Sequence, residues 1–454
     1  MSDKHTELLL QTAEKYRDLM ISAEEYIWAH PETGYKEWTA NKYLAEQYEK
    51  LGYELTMAGN IPGFFTTIDT GRPGPCLLIM GELDSLICQN HPEADPKTGY
   101  VHACGHNAQS ATLLGIAAAL KTPGVLDAFC GKIKLMAVPA EELIEIGYRE
   151  ELRKQGIIHY LGGKVEFLYR GFMDDVDLAF MVHTSNIGDK LFGIGVGNNG
   201  CIAKNINYLG VASHAGGAPH AGVNALYAAL NGMQAVNNLR ETFKDDDHIR
   251  VHPIVTEGGQ VVNAIPNDVK IESYVRGATI EAIKDANKKV NRAFAASGAA
   301  IGAKVIIKDR PGYMPLNNDK NLSKLAVEAM LNITDKEHIQ MDNWSTGSTD
   351  MGDISTVMPA VHPYAAGATG VGHGADYYIS DKEAALVNSA KLQLVLAYLL
   401  LKDDAKEAKK VIEENVPIFK SKEEFFKTID LLYMDKDAVV YNEDGTITLD
   451  YVNA

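Results

Sequence analysis

Cys104 and His106 stand two residues apart in His102-Ala-Cys104-Gly-His106-Asn107. In an extended segment both side chains emerge on one face, where a thiolate and a neutral imidazole can hold a metal ion. Two ligands make half a site. The approach to it is also informative, because Cys76-Leu77-Leu78-Ile79-Met80 has the character of a buried strand and ends directly at Glu82 and Asp84. Residues 133–138 form a second such run, broken by Pro139 and followed by the adjacent pair Glu141-Glu142. Residues 178–182 form a third, which delivers His183. In open α/β sheets, ligands gather beyond the carboxyl ends of the strands. Three apolar runs that each end in acid or histidine are therefore expected to meet at one pocket.

Metal-assisted hydrolysis suits this inventory. It needs ligands, an open coordination position and a base. Neighbouring side chains diverge, so one of Glu141 and Glu142 can ligate while the other takes a proton from water acidified by the cation and returns it to a leaving amine. Rival chemistries have less support. There is no Gly-x-Ser-x-Gly elbow, and Ser348 sits in a Gly/Thr/Asp loop. No phosphate-cradling Gly-x-x-x-x-Gly-Lys loop occurs. Gly195-Val-Gly197-Asn-Asn-Gly200 fits the dinucleotide pattern, but the residues after it have strand texture where that motif needs a helix. Cys104 acting as a nucleophile with His106 is the weaker use of the pair, since a metal would occupy the thiolate.

The elements that must position these groups exceed one core. At 454 residues, two domains are expected. A net charge of -17 argues against nucleic acid or an anionic membrane as a partner, because either would want a basic face. No uncharged stretch is long enough to span a bilayer. Residues 1–17 mix charges with leucines at helical spacing and lack the apolar region of a secretory signal. Five scattered cysteines suit a reducing cytosol, the expected location, with Cys76, Cys130 and Cys201 read as core. Helices are expected over residues 6–29, 39–51 and 108–121, the last capped by Asn107. The polar stretch 145–177 reads as surface decoration, with a cover over the pocket as the alternative. Residues 199–310 read as strand, helix, two strands, helix, strand, the split βαβ order of a small α+β sandwich inserted into the larger domain. The tail is expected to be structural, with a hairpin around Asp444-Gly445.

The segments Gly-Glu82-Leu-Asp84, His-Ala-Cys104-Gly-His106-Asn, Pro-Ala-Glu141-Glu142, Val-His183-Thr, Ser-His214-Ala-Gly, Asn263-Ala-Ile-Pro-Asn and Ser348-Thr-Asp-Met-Gly occur in a telling order. The chain thereby resembles the aminoacylase and carboxypeptidase family of metallohydrolases, peptidase family M20, from about Gly81 to His373. The branch it resembles most holds hippurate hydrolases, auxin-conjugate amidohydrolases and aminobenzoyl-glutamate hydrolase. The resemblance implies an α/β, zinc-exopeptidase-like catalytic domain with a mixed sheet, residues 1–198 and 311–454. An inserted α+β, ferredoxin-like lid that also dimerises would span residues 199–310. Cys104, His106, Glu142, His183 and His373 would ligate one or two divalent metal ions, zinc or manganese, with Glu141 as general base and Asp84 orienting the site. His214 would reach into the pocket of a partner subunit in a homodimer and stabilise the oxyanion, while Asn263 and Arg276 would hold a substrate carboxylate.

The sequence departs from the family pattern in four places. Other branches have histidine where Glu82 stands, Asn107 and Gln109 replace an Asp and a His, the segment after Glu142 is longer, and His373 lies in Val-Gly-His-Gly-Ala-Asp. The expected function is hydrolysis of the amide of an N-acyl or aminobenzoyl amino acid. A dipeptidase of the β-alanyl type, or a non-catalytic metal- or ligand-binding protein on the same scaffold, are the alternatives.

Overall fold

The computed structural model describes residues 3–452, and the chain forms two compact units. The larger runs up to Gly197 and resumes over Asn317–Trp344 and Asp353–Lys420; the smaller comprises Asn198–Leu316, Ser345–Gly352 and the chain from Ser421 onward.

The larger unit is built on a six-stranded sheet in the order Thr56–Met57, Phe64–Asp69, Lys132–Val138, Cys76–Glu82, Leu178–Phe180, Ala360–Val361. Cys76–Glu82 is buried along its whole length because it runs parallel between Lys132–Val138 and Leu178–Phe180. A strand covered on both faces reads as a continuous apolar run, with no alternation. Register sets Glu82 opposite Val138, so the two strands finish level and Asp84 and Glu141 leave the sheet at the same edge. Antiparallel pairing of Phe64–Asp69 with Lys132–Val138 makes the sheet mixed. A second mixed sheet joins Ile339–Met341, Phe192–Ile194, Tyr364–Ala365 and His183–Thr184.

Helix His106–Leu120 is buried at every residue, which its Ala, Gly and Leu content permits. The expected cap is not Asn107: the helix starts at His106, and Gly105 precedes it at φ 93°, a left-handed conformation natural only to glycine. Asn107 is buried and donates from Nδ2 to Glu24 Oε1 at 2.7 Å. The expected helix over 6–29 is two, Lys4–Lys15 and Arg17–Trp28, broken at Tyr16. Among the described residues one stretch, Glu383–Leu401, is long and apolar enough to cross a membrane, but 89% of its most apolar 18-residue window is buried inside the protein, so it is a core helix.

Residues 145–177 are surface decoration only in part, since Arg149 is the one buried residue of their first helix while most of their second is buried. They contain helix Ile146–Lys154 and helix Gly163–Tyr169, and the second is buried from Gly163 to Leu168. A Cβ on Gly163 would overlap the Pro139 carbonyl, so this helix lies directly on the turn that precedes Glu141. Gly163→Ala is expected to cost about 1–3 kcal/mol of stability, seen as a lower urea midpoint at unchanged slope.

The smaller unit is an antiparallel sheet in which Gly200–Leu209 lies between Asp268–Gly277 and Lys304–Pro311. Arg250–Val251 and Ile254–Glu257 pair along the outer side of Asp268–Gly277. Helices Ala225–Asn238 and Ile280–Ile301 share one core with this sheet through residues such as Ile206, Ala229, Ile271, Val290 and Phe294. The tail departs from the expected boundary at 310. Met434–Asp437 pairs with Lys304–Pro311 and extends the small unit's sheet, after which Val439–Tyr441 and Ile447–Leu449 form the hairpin. Arg310 fixes the junction by donating to Asp435 Oδ1 at 3.0 Å.

Candidate metal centre

Asp84 ties the end of the central strand to everything that follows. Its Oδ2 accepts the Glu142 backbone N–H at 2.8 Å, and its Oδ1 and carbonyl lie 3.2 and 2.9 Å from His106 Nδ1. A carbonyl only accepts, so Nδ1 carries the hydrogen and Nε2 of His106 presents a lone pair. That Nε2 is buried and faces Glu82 Oε2 at 3.1 Å. His183 repeats the device: Nδ1–H donates to the Thr184 carbonyl at 2.8 Å, leaving Nε2 3.5 Å from Cys104 Sγ. Orienting a ligand imidazole through its other nitrogen is the usual support for a metal-binding histidine.

Three overlapping groups of donor atoms result, each with all atoms within 4.8 Å of one another: Cys104, His106 and His183; Cys104, Glu142 and His373; Glu82, His106 and Glu141. The five expected ligands thus converge from three strand ends and a distant loop. His373 arrives at φ 66° and is held by its own N–H, which donates to Ala103 O at 2.8 Å. Ala140, just before the glutamate pair, is also left-handed at φ 59°. Its N–H donates to Glu37 Oε1 at 2.8 Å, and Arg149, fully buried in the inserted segment, donates to the carbonyls of Leu161 and Glu142. Strain of this kind persists only where the surroundings over-determine it, and here both instances flank the donor cluster.

The electrostatics fit a cation. Burial disfavours the Cys104 thiolate, but the imidazoles of His106 and His183 outweigh it and bring its pKa down to about 6. Burial disfavours charge on His106 and His183 as well, yet Cys104 and Glu82 push both pKa values upward. Hydrogen bonds to Cys104 and Glu142 push His373 upward likewise. A cluster that draws protons onto three histidines has a field that calls for positive charge, which a divalent ion supplies when bound. His106 Nε2 and Glu142 Oε1 face other members of the cluster, Glu82 Oε2 at 3.1 Å and His373 Nε2 at 3.0 Å, as groups gathered around one ligand would.

Several members were not evident from the chain alone. Glu82 Oε2 lies 3.1 Å from His106 Nε2 and accepts from Gln109 Nε2 at 2.9 Å, while Glu82 Oε1 pairs with Lys164; Glu82 and Lys164 are both fully buried. Lys164 comes from the inserted segment, and nothing in its sequence context marks it. Glu82 was flagged only as acid at a strand end.

The remaining expected residues lie in the smaller unit. His214 Nδ1 accepts the N–H groups of Gly216 and Gly217 at 3.2 and 2.9 Å, so Nε2 carries the hydrogen and the exposed ring presents a donor. Asn263 is beside it, because His214 bridges Ala264 and the Ala215 N–H donates to Asn263 O at 2.9 Å. Arg276, half-buried on Asp268–Gly277, stacks its guanidinium 5.1 Å from the Tyr274 ring and makes no ion pair among the described residues.

Fold and site together define a two-unit α/β metallohydrolase, an enzyme that hydrolyses amide bonds. The model of Peptidase family M20/M25/M40 matches residues 78–398, and the chain belongs to that family. It is 28% identical over 358 residues to the Xaa-Arg dipeptidase of Homo sapiens, covering 74% of each chain. It is 26% identical over 336 residues to the indole-3-acetyl-aspartic acid hydrolase of Enterobacter agglomerans, covering 62% of this chain and 71% of that one. A dinuclear metal-binding peptidase of the M20 family from Bacillus subtilis superposes with a TM-score of 0.63 at 20% identity, over 86% of this chain and 99% of that one, a likeness of fold.

Proposed function

We propose that the protein hydrolyses the amide of an N-acyl amino acid, with Cys104, His106, Glu142, His183 and His373 holding one or two divalent ions. The observation that carries this reading is the convergence of those donors within 4.8 Å groups beside Glu141. A bound cation supplies Lewis acidity and makes water more acidic. Thiolate and imidazole donors favour zinc, and the carboxylate share also suits manganese. Glu141 takes the proton from the attacking water and returns it to the leaving nitrogen. Asp84 holds His106 and the Glu142 backbone in register. Asn263 and Arg276 bind the substrate carboxylate, for which Arg's planar fork is suited. The five free cysteines fit a reducing cytosol.

His214 acts in the partner subunit's pocket of a homodimer, donating from Nε2–H to the developing oxyanion. The small unit offers an apolar surface for that dimer, with Tyr227, Leu230, Val261 and Val262 exposed. His214→Ala is expected to lower kcat about 10²-fold at nearly unchanged KM; a fully active variant, or a monomer in sedimentation, would remove this role.

The test is metal analysis of the purified protein, then hydrolysis of N-acyl amino acids before and after chelation. Stoichiometric metal, loss of turnover on chelation and recovery on adding zinc or manganese are expected. A dipeptide substrate is the second reading, favoured by the similarity to the Xaa-Arg dipeptidase over 74% of both chains. A panel that sets N-acyl amino acids against Xaa-Arg and β-alanyl dipeptides decides between them by kcat/KM.

A further inference from the structure

The smaller unit contains a cavity of about 300 Å³, at the low end of small-ligand sites. One wall is a stripe of helix Ile280–Ile301, where Lys284, Asn287, Lys288 and Asn291 fall on one face. The opposite wall is the tail, with Leu431, Leu432, Met434, Tyr451 and Val452. The floor is a buried polar network: Lys204 pairs with Asp309 and donates to Asn287 Oδ1 at 2.7 Å. Asn287 and Asn291 each donate from Nδ2 to Asp309 Oδ2, at 2.7 and 2.9 Å. A carboxylate accepts only, so this bond fixes the Asn291 amide with Oδ1 as the acceptor. That Oδ1 has no partner, although Asn291 is 2% exposed. An unpartnered acceptor in an otherwise satisfied network is the kind of group that needs a ligand to account for it. Lys284 and Lys288 are exposed and make no ion pair among the described residues.

We infer that this cavity binds a free α-amino acid with an apolar side chain. Its carboxylate sits between Lys284 and Lys288, its ammonium donates to Asn291 Oδ1 beside the Asp309 charge, and its side chain packs on Leu431, Leu432 and Met434. An apolar α-amino acid supplies the anion, the donor and the apolar group within this volume. Under the proposed function a free amino acid is a product, so the cavity is a regulatory site at which the released product acts back on the enzyme. That last step rests on the proposed function; the binding itself does not.

The experiment titrates L-leucine into the full chain by calorimetry after chelation, and into a Lys284→Glu/Lys288→Glu variant. Both substituted lysines are surface residues outside the catalytic machinery. Saturable binding is expected in the parent and at least about tenfold weaker binding in the variant, the worth of one charge-assisted hydrogen bond. With metal restored, L-leucine is expected to change turnover noncompetitively in the parent and not in the variant, whose kcat/KM without leucine is unchanged. Absence of saturable binding, or equal binding by both proteins, overturns the inference. A chain that bound leucine through these lysines but cleaved no amide would instead overturn the proposed function.

Discussion

Glu141→Gln is expected to lower kcat by about 10³-fold, within the range that a positioned general base contributes, while KM changes little. Glutamine keeps the volume and one acceptor oxygen of glutamate but cannot take the proton that water must lose. Glu141 is 8% exposed and lies 4.0 Å from His106 Nε2, in the donor group with Glu82 and His106 and outside the one that Glu142 forms with Cys104 and His373. Metal content should therefore stay at the parental level. That separates the two members of the pair, because Glu142→Gln removes an anion from the group formed with Cys104 and His373 and is expected to release metal. A tenfold loss of rate corresponds to about 1.4 kcal/mol of barrier, so the Glu141 effect amounts to about 4 kcal/mol. Single-turnover assays on metal-replete protein check it. Unchanged turnover would mean that Glu141 is not the base, and absence of turnover in the parent would favour a binding protein on this scaffold.

What the sequence revealed follows from where each signal resides. Cys76–Glu82 was legible because parallel neighbours on both sides force a continuous apolar run, and a strand end carrying acids announces a pocket. The split βαβ order of the smaller unit was legible because each of its elements has its own period. The tail was misplaced because Met434–Asp437 gains its strand character only from pairing with Lys304–Pro311, more than a hundred residues earlier. Asn107 looked like a cap because its type suits one. The actual cap is set by the left-handed turn at Gly105, which lets the helix begin at the ligand His106 itself. Residues 145–177 were read as surface because charged residues usually lie there. Arg149 and Lys164 are exceptions whose partners, backbone carbonyls and Glu82, are made available only by the fold.

Lys164→Met is expected to destabilise the metal-free protein by about 3–5 kcal/mol, the loss typical when one partner of a buried ion pair is removed. Glu82 and Lys164 are both fully buried, and their pair holds the Glu82 carboxyl well below the usual range although burial acts the other way. Without the ammonium, Glu82 keeps the hydrogen bond from Gln109, at 2.9 Å, and the His106 ring at 3.1 Å, a weaker compensation for a charge in a dry setting. The double variant Lys164→Met/Glu82→Gln removes both charges together and should recover most of the loss. The coupling free energy is then a large share of the single-variant effect, whereas additive losses would mean that the two groups act independently. Urea unfolding under chelation is the appropriate measurement, since bound metal would stabilise the native state by mass action and mask the difference. The same pair bears on function through charge. Cys104, Glu82, Glu141 and Glu142 together bring four potential anions to one cluster, and Lys164 offsets one of them from the inserted segment. With that cation gone, Glu82 Oε2, already 3.1 Å from His106 Nε2, becomes an additional anionic donor facing the ligand atoms. Metal affinity is therefore expected to rise in Lys164→Met even as the metal-free fold weakens, a divergence that generally loosened packing would not produce.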